Sequence, residues 1–167
     1  MKIEVLNSGH NRDDFNCGED SLNNFLKRYA RQQAERYLGR TFVAIPMPGD
    51  CAVMGYYTLA AGDIDASLIS AKRIGLDMIP IVLLARLAVD NKFQGCGVGK
   101  RLLLDGLTRS QRIARAEIGA YAVVVDALNE GARQFYLRHG FQPLRDDPLH
   151  LYLTMKEIEA LGLIESN

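Results

Sequence analysis

Apolar positions along this chain repeat with two periods, and the switches between them divide it into elements. Lys2 to Asn7 alternates, with Ile3 and Val5 apolar, and predicts an edge strand. Phe15, Cys17 and Gly18 form a turn. Asp20 or Ser21 then caps a helix whose apolar face is Leu22, Phe25, Leu26 and Tyr29, and which runs through ARQQAERY to a stop at Gly39. Thr41 to Met47 and Cys51 to Ala61 read as strands, with Pro48-Gly49-Asp50 as the hairpin turn between them. Residues 62–80 lose periodicity and end in Pro80, which predicts a loop with at most a short helix.

Ile81 to Val89 is a continuous apolar run and reads as a strand buried on both faces. A polar connector, Asp90 to Gln94, leads to Gly95, Gly97 and Gly99. A helix over 98–116 follows, with Val98, Leu102, Leu103, Leu107 and Ile113 inward and its arginines outward. Tyr121 to Leu128 is a further buried strand, and Asn129 to His139 a short helix closed by Gly140. Leu149 to Met155 is a last strand before a small C-terminal helix. The order β-α-β-β then β-α-β-α-β is a mixed α/β layer with no internal repeat or linker, so residues 1–167 are expected to form one domain.

The strand–glycine–helix passage is the candidate chemistry. Glycines let a chain turn tightly and bring backbone N–H groups close to a ligand, and the first turn of a helix points unpaired N–H groups at negative charge. A nucleotide P-loop does not fit, because Gln94 stands where its first glycine belongs and Arg101 where its hydroxyl belongs. The dinucleotide fingerprint also fails, with Lys100 or Leu102 at its third glycine. The pattern that does fit is Gln-x-x-Gly-x-Gly at Gln94, Gly97 and Gly99.

Composition narrows the classes further. The 167 residues suit one domain, which at this length buries roughly 70% of its unfolded surface. The formal net charge is zero. The charge is nevertheless segregated. Residues 23–40 carry five basic residues against Glu35, and residues 91–116 carry six against Asp105. Basic faces of this kind are either solvated helix surface or a track for RNA phosphates. The three cysteines are odd in number and lack C-x-x-C or zinc spacing, which points to reduced thiols in a cytoplasm and to no metal. No apolar run is long enough to span a bilayer, and no signal-peptide pattern opens the chain, so no membrane role is expected.

Two motifs carry a family resemblance. The Gln94–Gly99 pattern resembles the pyrophosphate loop of the GNAT acetyltransferases. The run Asn129, Ala132, Phe135, Tyr136, Gly140 and Phe141 resembles that family's N-x-x-A-x-x-F-Y-x-x-x-G-F signature without departure. The resemblance implies the GNAT acyl-CoA N-acyltransferase fold, a mixed central sheet with splayed central strands flanked by helices. It implies acetyl-coenzyme A as donor, held by Gln94, Gly95, Cys96, Gly97, Val98, Gly99, Lys100 and Asn129, and by main-chain groups of Leu87, Ala88 and Val89. Tyr136 would be the catalytic acid that protonates the departing thiolate. No residue stands out as general base: His10, His139 and His150 read as structural or exposed, and Phe135 as core.

Four further segments resemble one branch of the family, the GNAT toxins of bacterial type II toxin–antitoxin modules. They are F-x-C-G-x-x-x-L-N-x-F-L from Phe15, R-T-F-V-A from Arg40, G-Y-Y-T-L from Gly55 and L-L-A-R-L-A-V-D from Leu83. That branch implies acetylation of the α-amine of aminoacyl-tRNA. It also implies a ribbon-helix-helix antitoxin partner, operator DNA contacted only through that antitoxin, and a cytoplasmic site; a homodimer stays open. Arg28, Arg31 and Arg86 are the candidate substrate contacts. Arg86, on a buried strand, has to be paired with an acid or to face the cleft. A housekeeping acetyltransferase acting on a small amine or a protein N-terminus is the rival.

Overall fold

The structure, a computed structural model, describes residues 1–69 and 74–164. Its strands are β1 Lys2–Val5, β2 Arg40–Ile45, β3 Gly55–Asp65, β4 Met78–Val89, β5 Ala122–Asp126, β6 Gln142–Pro143 and β7 His150–Thr154. The helices are α1 Asp20–Asn24, α2 Ala30–Glu35, α3 Val98–Ala116, α4 Glu130–Arg138 and α5 Met155–Ala160. Among the described residues, hydrogen bonding orders the strands β1-β2-β3-β4-β5-β7-β6. The chain divides into two compact units, Met1–Ala60 with Ala85–Gly106, and Ala61–Leu84 with Leu107 onward. β3, β4 and α3 each contribute to both. No described helix is long and apolar enough to cross a membrane.

In the first unit, β2 pairs antiparallel with β1 and with β3. The Thr41 and Thr58 hydroxyls, directly opposite in that register, bond at 2.8 Å inside the sheet. The core here is Phe15, Phe25, Leu26, Ala30, Val43, Ile45, Val53, Tyr56 and Ala88. In the second unit, β4 pairs parallel with β5 from Ile81↔Ala122 to Leu84↔Val125, and the rest of β4 continues past that register. β5 and β6 flank β7 antiparallel, over a core that includes Ile79, Ile81, Val124 and Tyr152.

Several expected details are corrected. The first helix is interrupted by a π turn at Phe25–Tyr29, where the Ala30 N–H reaches back to the Phe25 carbonyl. One extra residue in the turn rotates the following face, so Ala30 is buried and Tyr29 half exposed, although an unbroken α-helix would bury Tyr29. Neither Asp20 nor Ser21 caps this helix; Glu19 holds the cap position without a side-chain bond, and Asp20 sits in the first turn. The helix stops earlier than Gly39. Tyr37 takes the left-handed position at φ +58, with Leu38 N–H bonded to Gln33 and Tyr37 N–H to Ala34. Gly39 serves another need, since a Cβ there would stand 3.2 Å from Thr58 Cγ2.

The hairpin turn forms at Met47–Asp50, with Gly49 at φ +91, but Cys51–Met54 lie outside β3. Asn11 takes the Cys51 carbonyl instead, and Ala52 bridges to Asn11. The loop expected over 62–80 is shorter: β3 runs to Asp65 and β4 begins at Met78, with Pro80 inside it. Residues 70–73 of that stretch, and the last three of the chain, lie outside the described residues. α3 has the expected bounds, but its buried stripe continues through Ser110 and Gln111 while Ile113 is exposed. Six residues beyond Leu107 at about 100° each, Ile113 has rotated off the core face. β6 was not expected at all.

Candidate active site

The glycine turn lies in the first unit. β4 ends at Val89, and Asp90 caps a 3-10 turn, Asn91–Phe93, by accepting the Lys92 N–H at 2.9 Å. Gly95 and Gly97 then stand at φ +78 and +80, where a side chain would be strained, and a Cβ on either would meet nothing within 4 Å. Val98 and Leu102 anchor the start of α3 in the core; Gln94, Cys96 and Lys100 are exposed, and Gly99 is half-buried in the first helical turn. Open space over a left-handed turn, next to the free N–H groups of a long helix, suits a diphosphate. The Gln94 side chain is engaged within the turn itself. Its Nε2 donates to the Val89 carbonyl (3.0 Å), to Asn91 Oδ1 (3.1 Å) and to the Cys17 carbonyl (3.3 Å), which closes the connector on itself.

Burial along β4 changes at the end of its register with β5. Ile81, Val82 and Leu84 are buried; beyond them Ala88 is buried, while Ala85, Arg86, Leu87 and Val89 are half-buried. The expected burial on both faces therefore holds only for the first part of the run. Arg86 is accommodated in a way that neither expectation included. Its guanidinium carbon lies 3.7 Å above the centroid of the Phe25 ring. Phe25 stacks on Tyr56 at 6.2 Å, and Phe15 meets Tyr56 edge-on at 5.5 Å. A cation on an aromatic face gains about 0.5–2 kcal/mol, depending on how dry the site is. The Tyr56 hydroxyl donates to the Leu22 carbonyl at 2.7 Å, and burial pushes its pKa well up.

Arg28 is exposed and Arg31 half-buried. Arg31 lines a cavity of about 390 Å³ with Arg40, Glu35, Ala30, Val5 and Leu6, between α2, the end of β1 and the start of β2. None of the glycine-turn residues borders it.

The second unit carries the other motif. Asn129 caps α4, its Oδ1 accepting the Ala132 N–H at 2.9 Å. Gly140, at φ +91, ends the helix, and the Phe141 N–H turns back to the Tyr136 carbonyl at 3.2 Å. This brings the Phe141 ring to 5.3 Å from that of Tyr136, while Phe135 meets Tyr136 edge-on at 5.3 Å. Tyr136 is thus buried, and Phe135, expected in the core, is only half-buried. Burial raises the Tyr136 phenol well above its ordinary range, so it keeps its proton at neutral pH. Among the described residues its hydroxyl has no hydrogen-bond partner, which leaves the O–H available to a ligand.

The histidines are structural. His10 accepts the Asn7 N–H on Nδ1 and meets Glu4 at 2.9 Å; His139 bonds the Phe135 carbonyl; His150 pairs with Asp146 at 3.0 Å. Among the described residues no group of His, Cys, Asp and Glu is arranged to hold a metal. Sequence reasoning missed Asp90, Asn16 and Asn23, which are joined by hydrogen bonds beside the glycine turn. Asp90 and Asn23 both stand inside the toxin-like segments, but polar residues outside a periodic pattern carry no signal of what they bond.

Comparison with known proteins agrees with this arrangement. The family description "Acetyltransferase (GNAT) domain" matches residues 39–143. A tRNA-acetylating toxin of Mycobacterium tuberculosis is 39% identical over 150 residues, covering 88% of this chain and 87% of the relative. A probable toxin TacT of Sinorhizobium fredii is 30% identical over 95% of this chain and 93% of its own length. Among solved structures, a tyrosine-to-phenylalanine mutant of KacT superposes with a TM-score of 0.90 at 31% identity, covering 96% of this chain and 98% of that one. AtaT complexed with acetyl-methionyl-tRNAfMet gives 0.88 at 32% identity, with the same coverage. A mutant AtaT bound to the C-terminus of the antitoxin AtaR and acetyl-CoA gives 0.82 at 32%, covering 96% of each chain. From the glycine turn, the tyrosine motif and these likenesses together, the chain belongs to the GNAT acetyltransferase family.

Proposed function

We propose that this chain is an acetyltransferase toxin that moves the acetyl group of acetyl-coenzyme A onto the α-amine of aminoacyl-tRNA and thereby blocks translation. The observation that carries this is the extent of the likeness. The GNAT description covers the catalytic middle of the chain, whereas the toxin relatives match nearly all of it, including the N-terminal segment. That segment shapes the Phe25 platform under Arg86 and the basic helix that follows.

The chemistry needs few groups. The neutral amine of the aminoacyl ester attacks the thioester carbonyl, a C–N bond forms, and the oxyanion collapses with cleavage of the C–S bond. The amine loses a proton to water, Tyr136 Oη donates one to the leaving thiolate, and the tyrosinate so formed takes a proton back from water, so charge and protons balance over the cycle. The oxyanion would be met by a strand N–H near Leu87 or Ala88, a preorganised dipole worth about 3 kcal/mol. Main-chain groups of Leu87, Ala88 and Val89 serve the coenzyme arm, although the Val89 carbonyl already accepts from Gln94. The diphosphate lies over Gly95, Cys96, Gly97, Val98, Gly99 and Lys100; Gln94 shapes that turn and, with Asn129, is a further coenzyme contact. Arg86 faces the acceptor end, and Arg28 and Arg31 take RNA phosphates.

The whole chain acts as one GNAT domain in the cytoplasm. Its partner is a ribbon-helix-helix antitoxin, and operator DNA is reached only through that antitoxin; solved neighbours include an AtaT–AtaR complex bound to DNA. The test is a translation extract supplied with acetyl-coenzyme A and the purified chain, followed by mass analysis of the charged tRNA. An acetyl group on the aminoacyl moiety is expected. Acetylated small amines or protein N-termini with unmodified aminoacyl-tRNA would overturn the proposal in favour of a housekeeping enzyme.

A further inference from the structure

A polar network in the first unit fastens the N-terminal segment to the start of the glycine turn. Asp90 is 4% exposed, and its two carboxylate oxygens are divided between two segments. Oδ1 accepts the Lys92 N–H of its own turn at 2.9 Å, and Oδ2 accepts the Asn16 N–H at 3.0 Å. The Asn16 carbonyl returns the bond by accepting the Asn91 N–H at 2.8 Å. Asn16 Oδ1 accepts the Gly18 N–H (2.9 Å) and Asn23 Nδ2 (3.0 Å), and Asn23 Oδ1 accepts the Cys17 N–H at 2.9 Å. Asn23 is itself buried on α1, so the chain of bonds ends on a helix packed into the core. Gln94 closes the loop from the other side, onto the Cys17 carbonyl.

Such a brace answers a specific difficulty of the turn. Gly95 and Gly97 have no side chains to pack and have the largest conformational freedom to lose when their N–H groups converge on a phosphate. A turn fixed beforehand does not have to be ordered by its ligand, which raises affinity without any added contact. The buried carboxylate and the two amides bond one another and the backbone, and none of these bonds needs a ligand to complete it. We propose that Asn16, Asn23 and Asp90 are positioning residues, which hold the Asn91–Gly97 turn in its diphosphate-receiving shape and so set the affinity for acetyl-coenzyme A. This rests on the assignment of that turn to the coenzyme's diphosphate.

The experiment uses the full chain, with calorimetry against acetyl-coenzyme A and steady-state acetylation of aminoacyl-tRNA. Asn16→Ala removes the acceptor shared by Gly18 and Asn23, and should raise both Kd and KM for acetyl-coenzyme A by about tenfold. Its kcat at saturating donor and its KM for aminoacyl-tRNA should stay near wild type. Asn16→Asp keeps the acceptor oxygen and should recover most of the affinity, which a generic loss of stability would not predict. Asp90→Asn, which turns one acceptor into a donor facing an N–H, should resemble Asn16→Ala. If Asn16→Ala does not fold, Asn23→Ala breaks the same bridge from the α1 side and is read identically. Gly97→Asp separates the two ideas. If it weakens acetyl-coenzyme A binding while the brace variants bind as wild type, the brace is overturned. If Gly97→Asp itself binds normally, the assignment of the turn is wrong.

Discussion

At the scale of single residues, the buried tyrosines divide by what their hydroxyls do. Tyr56 donates to the Leu22 carbonyl and Tyr57 to Asp105 Oδ2 at 2.5 Å, so both are committed to the fold. Gly106 belongs to the same arrangement, because a Cβ there would press on the Tyr57 ring at 3.3 Å. Tyr136 has ring neighbours on α4 and beyond it, but no bond to its hydroxyl among the described residues. Burial keeps this phenol protonated at neutral pH, and its free O–H can be offered to a leaving thiolate. Tyr136→Phe keeps the ring and removes only that oxygen. Thermal stability and acetyl-coenzyme A affinity should be unchanged, and acetyl transfer should slow by about 100-fold or more. Because the phenol ionises above its ordinary range, the deficit should stay constant from neutral to mildly alkaline pH. Transfer at the wild-type rate in the variant would assign the proton to a water or to another group.

At the scale of elements, two helices end in the same way with different residues. α4 places Gly140 in the left-handed position, and α2 places Tyr37 there, a residue 96% exposed. A non-glycine residue in that conformation costs roughly 1–2 kcal/mol. Glycine removes this cost but loses about 0.4–1 kcal/mol through its freer unfolded chain. Tyr37→Gly should therefore stabilise the protein by roughly 0.5 kcal/mol. A denaturant titration should show the midpoint rising at unchanged slope. A fall in the midpoint would mean that the tyrosine makes a favourable contact despite its exposure. The π turn before α2 is the second irregularity of this helix, and it decides that Ala30 rather than Tyr29 enters the core.

At the scale of the molecule, the zero net charge hides two basic segments and an acidic C-terminal stretch. Long-range attraction of a polyanion depends on that distribution rather than on the total. Replacing Arg28 and Arg31 by Glu should weaken tRNA binding and flatten its dependence on salt, each lost phosphate contact reducing the slope by about 0.9. Acetyl-coenzyme A affinity should not move, since neither residue lies in the glycine turn. Filter binding at several salt concentrations checks this, and unchanged tRNA affinity at low salt would place the RNA track elsewhere.

Sequence alone determined the order of elements apart from β6 and the π turn, the bounds of α3, the glycine turn and the tyrosine motif. Each of these is written locally, in a period of apolar residues, in glycines at positions of positive φ, or in a motif of contiguous residues. Even the burial of β4 followed from its apolar run as far as Leu84. Tertiary structure decided what depends on a partner distant in the chain. The cation of Arg86 is received by the face of Phe25, and Asp90 is tied to Asn16, because the fold brings together segments far apart in sequence. The extra residue of the π turn and the burial of Tyr136 over Phe135 were decided there too. Neither follows from periodicity, since packing against the core chooses which face of a short or irregular helix turns inward.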